Sequence, residues 1–276
     1  MSKEKLSNGI YICPTPIGNM EDITIRALEL LKECDLIACE DTRHTVGLLS
    51  HFDIHKPLVS YHKFNENSRA AELVEQARSK VIAVVSDAGM PGISDPGFAV
   101  VKAARDAGVY VTVLPGASAA VCAAVLSGLP CERFIFEGFL PSENKDRKER
   151  LSQLVKEERS VILYESPHRL AKTLAELAKA LGERKIAACR ELSKLHEECV
   201  VFELSKYEEF LEQHPPRGEY VLVVQGAEKA LPVGTLEEQL EEMLASGMDK
   251  KEAVKAVAKA NGVSKNEVYM LLVDRS

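Results

Sequence analysis

The sequence of 276 residues predicts an α/β protein with two α/β lobes, a cleft between them and a small helical extension at the C-terminus. Three observations support this prediction. Short β-rich runs alternate with helical stretches over most of the chain. Later strands follow one another with little helix between them, which favours a mixed second sheet. From Pro232 onward the composition changes and only helical patterns remain.

The first lobe is predicted over residues 1–115, where aliphatic runs alternate with amphipathic stretches. Its strand candidates are Ile10–Cys13, Leu36–Cys39, Leu58–Tyr61, Ile82–Val85 and Val109–Leu114. Its helix candidates are Ile25–Cys34, Thr42–Ser50, Ser68–Ser79 and Phe98–Ala107. The alternation predicts βαβ units and a mostly parallel sheet, whose strands all end at one edge.

The second lobe is predicted over residues 116–228. It opens with a helix at Ala117–Leu126, which is nearly all Ala, Val and Cys and is therefore expected to be buried on most sides. The strand candidates that follow are Phe134–Phe136, Val161–Tyr164, Ile186–Cys189, Val200–Leu204 and Tyr220–Val224. The helix candidates are Asp146–Glu157, Leu170–Leu181 and Tyr207–Gln213. A cleft between two such lobes is the expected ligand site.

The C-terminal extension is predicted over residues 229–276 and begins with a capping box at Thr235–Glu238. A second helix runs from Asp249 to the stop signal Asn261-Gly262, and a further capping box at Ser264–Glu267 opens a third. This is a helix-turn-helix pattern. From Ala245 to the end there are six Lys or Arg and four Asp or Glu, so a nucleic-acid or ribosome contact and a simple packing unit both stay open.

Composition excludes several classes of function. The net charge of −7 argues against a surface that binds nucleic acid everywhere, so any such contact must come from a local patch. Seven cysteines without a Cys-x-x-Cys pair indicate buried thiols of a cytoplasmic protein rather than a zinc or redox site. No apolar run is long enough for a membrane span, and the N-terminus lacks the apolar core of a signal peptide. P-loop, dinucleotide, serine-hydrolase and HExxH zinc motifs are absent, and we expect no metal.

The loops that follow the strands carry the strongest signal for a site. The segment Val81–Gly97 joins a β-rich run to a loop with several glycines and prolines, which lets backbone approach a ligand closely. Three more polar or glycine-rich loops follow other strands, at Pro14–Asn19, Glu40–Arg43 and Pro115–Ala119. Because parallel strands end at the same edge, these loops are expected to converge there.

Seven motifs occur in order along the chain. They are PTPIGNMEDIT (Pro14–Thr24), CEDTRHT (Cys39–Thr45), SDAGMPGISDPG (Ser86–Gly97), PGASA (Pro115–Ala119), FEGFLP (Phe136–Pro141), YESPHR (Tyr164–Arg169) and RELSKLHEE (Arg190–Glu198). Together they resemble the ribosomal RNA small subunit methyltransferase I family of tetrapyrrole-methylase-like, class III methyltransferases. The resemblance implies transfer of a methyl group from S-adenosylmethionine to the 2′-oxygen of a cytidine in 16S rRNA, at the decoding centre of the 30S subunit. It also implies a homodimer.

The resemblance implies a cofactor site between the lobes. The residues expected there are Pro16, Gly18, Asp87, Gly89, Met90, Pro91, Ile93, Ser94, Ser118, Ala119, Gly138, Tyr164 and Glu219. Small residues in this set allow backbone groups to reach the amino-acid and sulfonium end of the cofactor.

A ribose hydroxyl is a weak nucleophile, so a proton acceptor would assist the reaction. The candidates are Asp95, Glu40, Asp41 and Glu191, and the choice among them stays open. Arg43, Lys194 and Arg190 are candidates to hold a phosphate or a developing alkoxide. Mutual pairing across the cleft is the alternative for all these charges. The densest basic run places Lys145, Arg147, Lys148 and Arg150 as candidates to contact RNA phosphates.

Three other functions fit parts of the pattern. A tetrapyrrole methyltransferase of the corrin pathway would share the cofactor loops, but Lys145–Arg150 and the C-terminal helices favour RNA. A DNA-binding regulator would use the helical tail, whose basic excess is weak. A class I methyltransferase normally places its glycine-rich loop after the first strand, whereas three strand candidates precede Val81–Gly97 here.

Overall fold

The computed structural model describes residues 6–228 and 234–273. The chain forms two compact units, one up to Ala227 and one from Glu228 onward. The first unit contains both β-sheets, so the division into lobes at residue 115 stays a prediction. Within the described ranges no helix has the length and apolar character needed to cross a membrane.

The first sheet is entirely parallel, which confirms the predicted βαβ arrangement. Its strands are β1 (Gly9–Ile12), β2 (Leu36–Cys39), β3 (Leu58–Ser60), β4 (Val81–Val85) and β5 (Val111–Val113), in the spatial order β3-β2-β4-β1-β5. The intervening helices are α1 (Ile25–Glu33), α2 (Thr42–His51), α3 (Glu66–Ala77) and α4 (Phe98–Asp106). Side chains of β1 and β4 alternate between two buried clusters, one on each face of the sheet: Tyr11, Val81, Ala83 and Val85 belong to the first, and Ile10, Ile12, Ile82 and Val84 to the second. Both faces of the sheet are therefore covered, and these strands read as continuous apolar runs.

The second sheet is mixed, as predicted. Helix α5 (Ala119–Leu126) precedes it, and its strands are β6 (Phe134–Phe139), β7 (Ser160–Glu165), β8 (Lys185–Arg190), β9 (Glu198–Glu203) and β10 (Tyr220–Val224). The spatial order is β6-β7-β10-β8-β9, with only β6 and β7 parallel. Helices α6 (Asn144–Leu154), α7 (Pro167–Leu181) and α8 (Tyr207–Gln213) complete this half. Strand β6 extends past its predicted end through an irregularity between Phe136 and Gly138.

Helix α5 corrects one expectation. Ala120, Ala123 and Ala124 are buried against the second sheet, but Val121 and Val125 are 52% and 79% exposed. Cys122 on the same helix is also exposed, so the expectation that the cysteines are all buried thiols fails there. The helix is apolar all round, and that composition gives no sign of which face meets the sheet. Its small alanines allow close packing on one side and leave an apolar face on the other.

The second unit consists of three helices within its described residues, 234–273. They are α9 (Leu236–Ala245), α10 (Lys250–Asn261) and α11 (Lys265–Val273). The capping box at Thr235 is present, and Gly262 ends α10 in the left-handed conformation that favours glycine. Leu240, Val257 and Val268, one from each helix, belong to a single buried cluster. Residues 229–233 and 274–276 of the predicted extension lie outside the described residues.

Candidate active site

A pocket of about 380 Å³ opens in the first unit where the loops of the two sheets meet. The first sheet contributes residues that follow β1, β2, β4 and β5, and the second contributes the end of β7, the loop after β8 and the start of β10. The lining residues are Ile17, Glu40, Asp87, Ala88, Gly89, Met90, Ile93, Ser94, Asp95, Ser118, Ala119, Phe139, Tyr164, Glu165, Ser166, Glu191, Leu192, Lys194, Glu219, Tyr220 and Val221. The volume suits a small organic ligand.

The loops of the first sheet are joined by hydrogen bonds. Thr15 and Gly89 exchange two backbone bonds, with N···O distances of 2.9 and 3.1 Å. The hydroxyl of Thr15 also donates to the Ser86 carbonyl at 3.1 Å. The backbone N–H of Asp41 donates to Asp87 Oδ1 at 3.1 Å, which connects the loop after β2 to the loop after β4. Hydrogen bonds within the protein therefore hold these loops in position.

Three non-glycine residues around the pocket adopt left-handed backbone conformations. Ser94 has φ 67°, Glu191 has φ 50° and Ser193 has φ 66°. Such conformations cost free energy and are concentrated at functional sites, where the surrounding structure holds them. Ser94 and Glu191 both line the pocket, one from each side.

The wall formed by the first sheet is acidic. Burial and, to a smaller extent, the nearby carboxylates of Glu40, Asp87 and Glu219 together raise the pKa of Asp95 to about 6. Burial also raises the pKa of Glu40, with a further contribution from Asp87. Near neutral pH, Asp95 is therefore poised between its proton-accepting and protonated forms.

On the opposite wall the charges are paired. Glu191 Oε1 accepts hydrogen bonds from Lys194 Nζ at 3.0 Å and from the Glu219 N–H at 3.1 Å. Burial acts to raise the pKa of Glu191, but these hydrogen bonds outweigh it and the pKa is lowered. Gly218 has φ 66°, and a Cβ there would overlap the Glu191 carboxylate. A glycine is thus required for Glu191 to approach this backbone.

Aromatic rings border the second side of the pocket. The ring of Tyr164 lies 5.0 Å from that of Phe136 and 5.7 Å from that of Phe139, both edge to face. Tyr164 and Phe139 line the pocket. Burial raises the pKa of Tyr164, so its hydroxyl stays protonated. This wall offers apolar ring surface suited to a flat heterocycle.

A buried polar network lies behind this wall and corrects the expectation for Arg147. Its side chain is only 3% exposed and donates to Glu176 Oε2 at 2.5 Å and to Thr173 Oγ1 at 2.6 Å. Thr173 in turn donates to Glu165 Oε2 at 2.5 Å. Arg147 therefore has no guanidinium group free for RNA, whereas Lys145 and Lys148 on the same helix are exposed.

Most of the residues expected at the cofactor site come together, and the remainder lie around them. Those in the lining are Asp87, Gly89, Met90, Ile93, Ser94, Ser118, Ala119, Tyr164 and Glu219, together with Glu40, Asp95, Glu191 and Lys194 from the catalytic set. Those outside it are Pro16, Gly18, Pro91 and Gly138. A Cβ on Gly18 would lie 2.6 Å from the Leu192 carbonyl oxygen, so this glycine lets the loop after β1 touch the loop after β8. Gly138 similarly leaves room beside Ser94 Oγ.

The structure does not bring Arg43 to the pocket. Its side chain is 90% exposed and forms an ion pair with Asp41 at 2.7 Å. Asp41 also caps α2 by accepting from the Arg43 N–H, and hydrogen bonds from Arg43 lower the pKa of Asp41 to about 2. Arg190 lies 2.9 Å from Glu198. These charges are therefore paired locally, Arg43 with Asp41 and Arg190 with Glu198, and not across the cleft.

Sequence reasoning missed several lining residues of the second sheet. They include Phe139, Glu165, Ser166, Leu192, Tyr220 and Val221, with Ile17 and Ala88 from the first. Glu165 is the last residue of β7 and Ser166 follows it, much as Glu40 follows β2, so the strand-end rule used for the first sheet could have predicted both. Tyr220 and Val221 begin a strand, and only the antiparallel pairing of β10 with β7 and β8 brings them to this edge.

Comparisons with known proteins agree on fold and family. The sequence profile of the tetrapyrrole (corrin/porphyrin) methylases matches residues 9–208. The ribosomal RNA small subunit methyltransferase I of Halalkalibacterium halodurans is 44% identical, over 94% of this chain and 93% of its own length. The Bacillus subtilis protein of the same name is also 44% identical, over 94% and 92%. A crystal structure of uroporphyrin-III C-methyltransferase from Thermus thermophilus, complexed with S-adenosylhomocysteine, has a TM-score of 0.53 at 20% identity, covering 79% of this chain and 97% of that one.

Proposed function

This chain belongs to the ribosomal RNA small subunit methyltransferase I family and is a methyltransferase that uses S-adenosylmethionine, and from this we propose that it methylates small-subunit rRNA. The specific reaction is transfer to the 2′-oxygen of a cytidine ribose of 16S rRNA, at the decoding centre of the 30S subunit in the cytoplasm. The observation that carries this proposal is the pocket, in which a glycine-rich loop and the carboxylates of Glu40, Asp87 and Asp95, which form no ion pair with a described residue, face an aromatic wall. Tetrapyrrole methyltransferases share the fold, but the named relatives that match almost the whole chain are rRNA enzymes.

The residues present fit the cofactor. When bound, S-adenosylmethionine supplies an electrophilic methyl group on a positively charged sulfonium. The small side chains of Gly89, Ser118 and Ala119 leave backbone accessible in the pocket. Asp87 provides negative charge for the cationic end, and Tyr164 provides ring surface for the adenine.

The chain's own residues then have separate roles. Asp95 accepts the proton of the ribose hydroxyl, because its raised pKa makes it a stronger base than an ordinary aspartate. Glu40 raises that pKa through its charge. Lys194, held 3.0 Å from Glu191, provides positive charge for a developing alkoxide or a neighbouring phosphate.

The basic residues that remain available in α6 support an RNA substrate. Lys145 and Lys148 are exposed. Arg150 is also exposed, although its Nε lies 3.3 Å from Glu137. These three residues contact RNA phosphates in the proposed complex, and Arg147 does not.

The exposed apolar face of α5 supports the proposed homodimer. Val121, Cys122, Val125 and Leu126 all expose side chains to solvent. A continuous apolar face of this kind favours self-association. We expect sedimentation analysis to give a dimer and Val125→Asp to weaken it. A wild-type protein that sediments as a monomer at micromolar concentration would contradict the proposed dimer.

Tritium transfer tests the reaction and the substrate together. The protein is incubated with tritiated S-adenosylmethionine and 30S subunits from cells that lack the corresponding activity. We expect label at one cytidine, in a dinucleotide that resists alkali, since a methylated 2′-oxygen cannot attack the adjacent phosphate. Measured cofactor binding without label on 30S subunits or free 16S rRNA would overturn the rRNA proposal.

A further inference from the structure

We propose that the exposed lysine stripe of α10, formed by Lys251, Lys255 and Lys259, binds the phosphate backbone of the RNA substrate. The inference rests on the proposed function for its substrate class, and it assigns RNA binding to the second unit. It concerns residues outside the pocket and outside the basic run of α6.

The stripe follows from helical geometry. The three lysines are four residues apart, so they lie along one side of α10 with about 6 Å of rise between neighbours. The opposite side is buried, with Ala253, Val254, Val257 and Ala258 in the core that α9 and α11 share. All three lysines are exposed. The interior of the unit therefore fixes which side of the helix carries the charge.

The three ammonium groups have no anionic partner among the described residues. None takes part in an ion pair there, although Glu252 lies on the same helix. Like charges four residues apart destabilise a helix, so the stripe has a local cost that no ion pair with a described residue offsets. An external polyanion would offset it.

The charge of the unit is also segregated. Helix α9 carries Glu237, Glu238, Glu241 and Glu242 and has no lysine or arginine, whereas α10 carries four lysines and a single glutamate. A surface serving only solubility would mix both signs. In a chain of net charge −7, contact with RNA requires a local positive surface of this kind. Lysines spaced along a helix match phosphates, which carry charge at regular intervals and no sequence information.

A matched pair of triple variants in the full-length chain tests the inference. Lys251→Gln, Lys255→Gln and Lys259→Gln remove the stripe. Lys32→Gln, Lys172→Gln and Lys179→Gln remove three exposed lysines of the first unit and change the net charge equally, from −7 to −10. Affinity for naked 16S rRNA and for 30S subunits is measured at several salt concentrations, together with methylation kinetics and affinity for S-adenosylhomocysteine.

We expect the stripe variant to bind RNA roughly tenfold more weakly, with the slope of log K against log salt reduced by about two. Its KM for 30S subunits should rise, while kcat and cofactor affinity match the control. Unchanged RNA affinity and salt slope in an enzyme that methylates rRNA would overturn the inference. A loss confined to 30S subunits, with naked rRNA unaffected, would also overturn it and indicate a protein contact. Failure of the wild-type chain to methylate rRNA would instead contradict the proposed function. The RNA affinities of the two triple variants would still test the role of the stripe.

Discussion

The two walls of the pocket treat charge in opposite ways. On the wall of the first sheet, Glu40, Asp87 and Asp95 lie near one another, and none forms an ion pair with a described residue. On the wall of the second sheet, Glu191 is neutralised by Lys194 and by a backbone N–H. Unpaired, partly buried carboxylates cost stability and gain basicity, whereas paired ones fix the backbone. We therefore propose that proton transfer takes place at the first wall, and that the second wall mainly positions backbone and charge.

The largest expected effect is on the first wall. Asp95→Asn should lower kcat by roughly 100-fold or more, because it removes the proposed proton acceptor. Affinity for S-adenosylhomocysteine should change only a few-fold. Single-turnover methylation and calorimetric titration measure the two quantities. Asp106→Asn, on the surface of α4, is the matched control and should keep wild-type turnover. An active Asp95→Asn beside an inactive Glu40→Gln would move the proton acceptor to Glu40.

The pH dependence sharpens the same assignment. With a pKa of about 6 for Asp95, kcat/KM should rise about tenfold per pH unit below 6 and level off above it. The contribution of Asp95 to the free energy of unfolding should change with pH in the opposite direction to kcat/KM. The folded protein holds the Asp95 proton more tightly than the unfolded chain, so the contribution of Asp95 to the free energy of unfolding falls as pH rises from 3.8 towards 6. Urea titrations at several pH values should show this dependence in the wild type and its loss in Asp95→Asn.

On the second wall the largest expected effect is on stability. Arg147→Ala removes the hydrogen bonds that the guanidinium donates to Glu176 and Thr173, and it should lower the free energy of unfolding by about 3 kcal/mol. Lys148→Ala, the exposed neighbour, should change it by less than about 0.5 kcal/mol. Urea denaturation measures both. Equal stability of the two variants would mean that the buried network does not stabilise this wall.

Gly218→Ala tests the positioning role of Glu191. The substitution places a side chain on a left-handed backbone, which costs free energy, and the new methyl group displaces the Glu191 carboxylate. Gly108→Ala is the control, because Gly108 has the same left-handed backbone, with φ 65°, but open space around it. Both variants should lose about 1 kcal/mol of stability. Only Gly218→Ala should also weaken binding of S-adenosylhomocysteine; if Gly108→Ala weakens it equally, Glu191 has no positioning role.

The smallest effect is expected at the ion pair itself. Lys194→Gln removes one hydrogen bond to Glu191, but the bond from the Glu219 N–H persists. A partly exposed pair contributes at most about 1 kcal/mol, so cofactor affinity should fall by less than about fivefold. Lys206→Gln, which breaks the exposed pair with Glu203, is the control and should leave cofactor affinity unchanged. A fall in kcat as large as that of Asp95→Asn would mean that the Lys194 charge contributes as much to the reaction as the proposed proton acceptor, and the two walls would then not differ in their contribution to the chemistry.

The sequence predicted the first wall better than the second for a topological reason. In the parallel first sheet every strand ends at one edge, so loops such as Glu40–Arg43 and Gly89–Gly97 converge by rule. In the second sheet, β10 runs against its neighbours and brings its first residues, Tyr220 and Val221, to the same edge. Strand order and direction in a mixed sheet do not follow from local patterns.

Charge runs and composition also do not show which side chains of a helix are buried, and the reasons are physical. Lys145, Arg147, Lys148 and Arg150 look alike in sequence, but the turn of α6 points only Arg147 into the protein, against α7. The choice depends on Thr173 and Glu176, which lie far away in the chain. Helix α5 shows the same limit, because a helix that is apolar all round does not reveal its buried side.

The paired backbone bonds between Thr15 and Gly89 have a consequence for hydrogen exchange. These two residues form an isolated antiparallel bridge, outside the parallel pairing of β1 with β4, that joins the loop after β1 to the loop after β4 at the border of the pocket. The exchange of their amides with solvent deuterium should therefore be slower than that of the neighbouring loop amides, even without a ligand. Most binding loops belong to the least protected part of a protein, and here two amides of such loops should exchange only when the bridge between the loops opens.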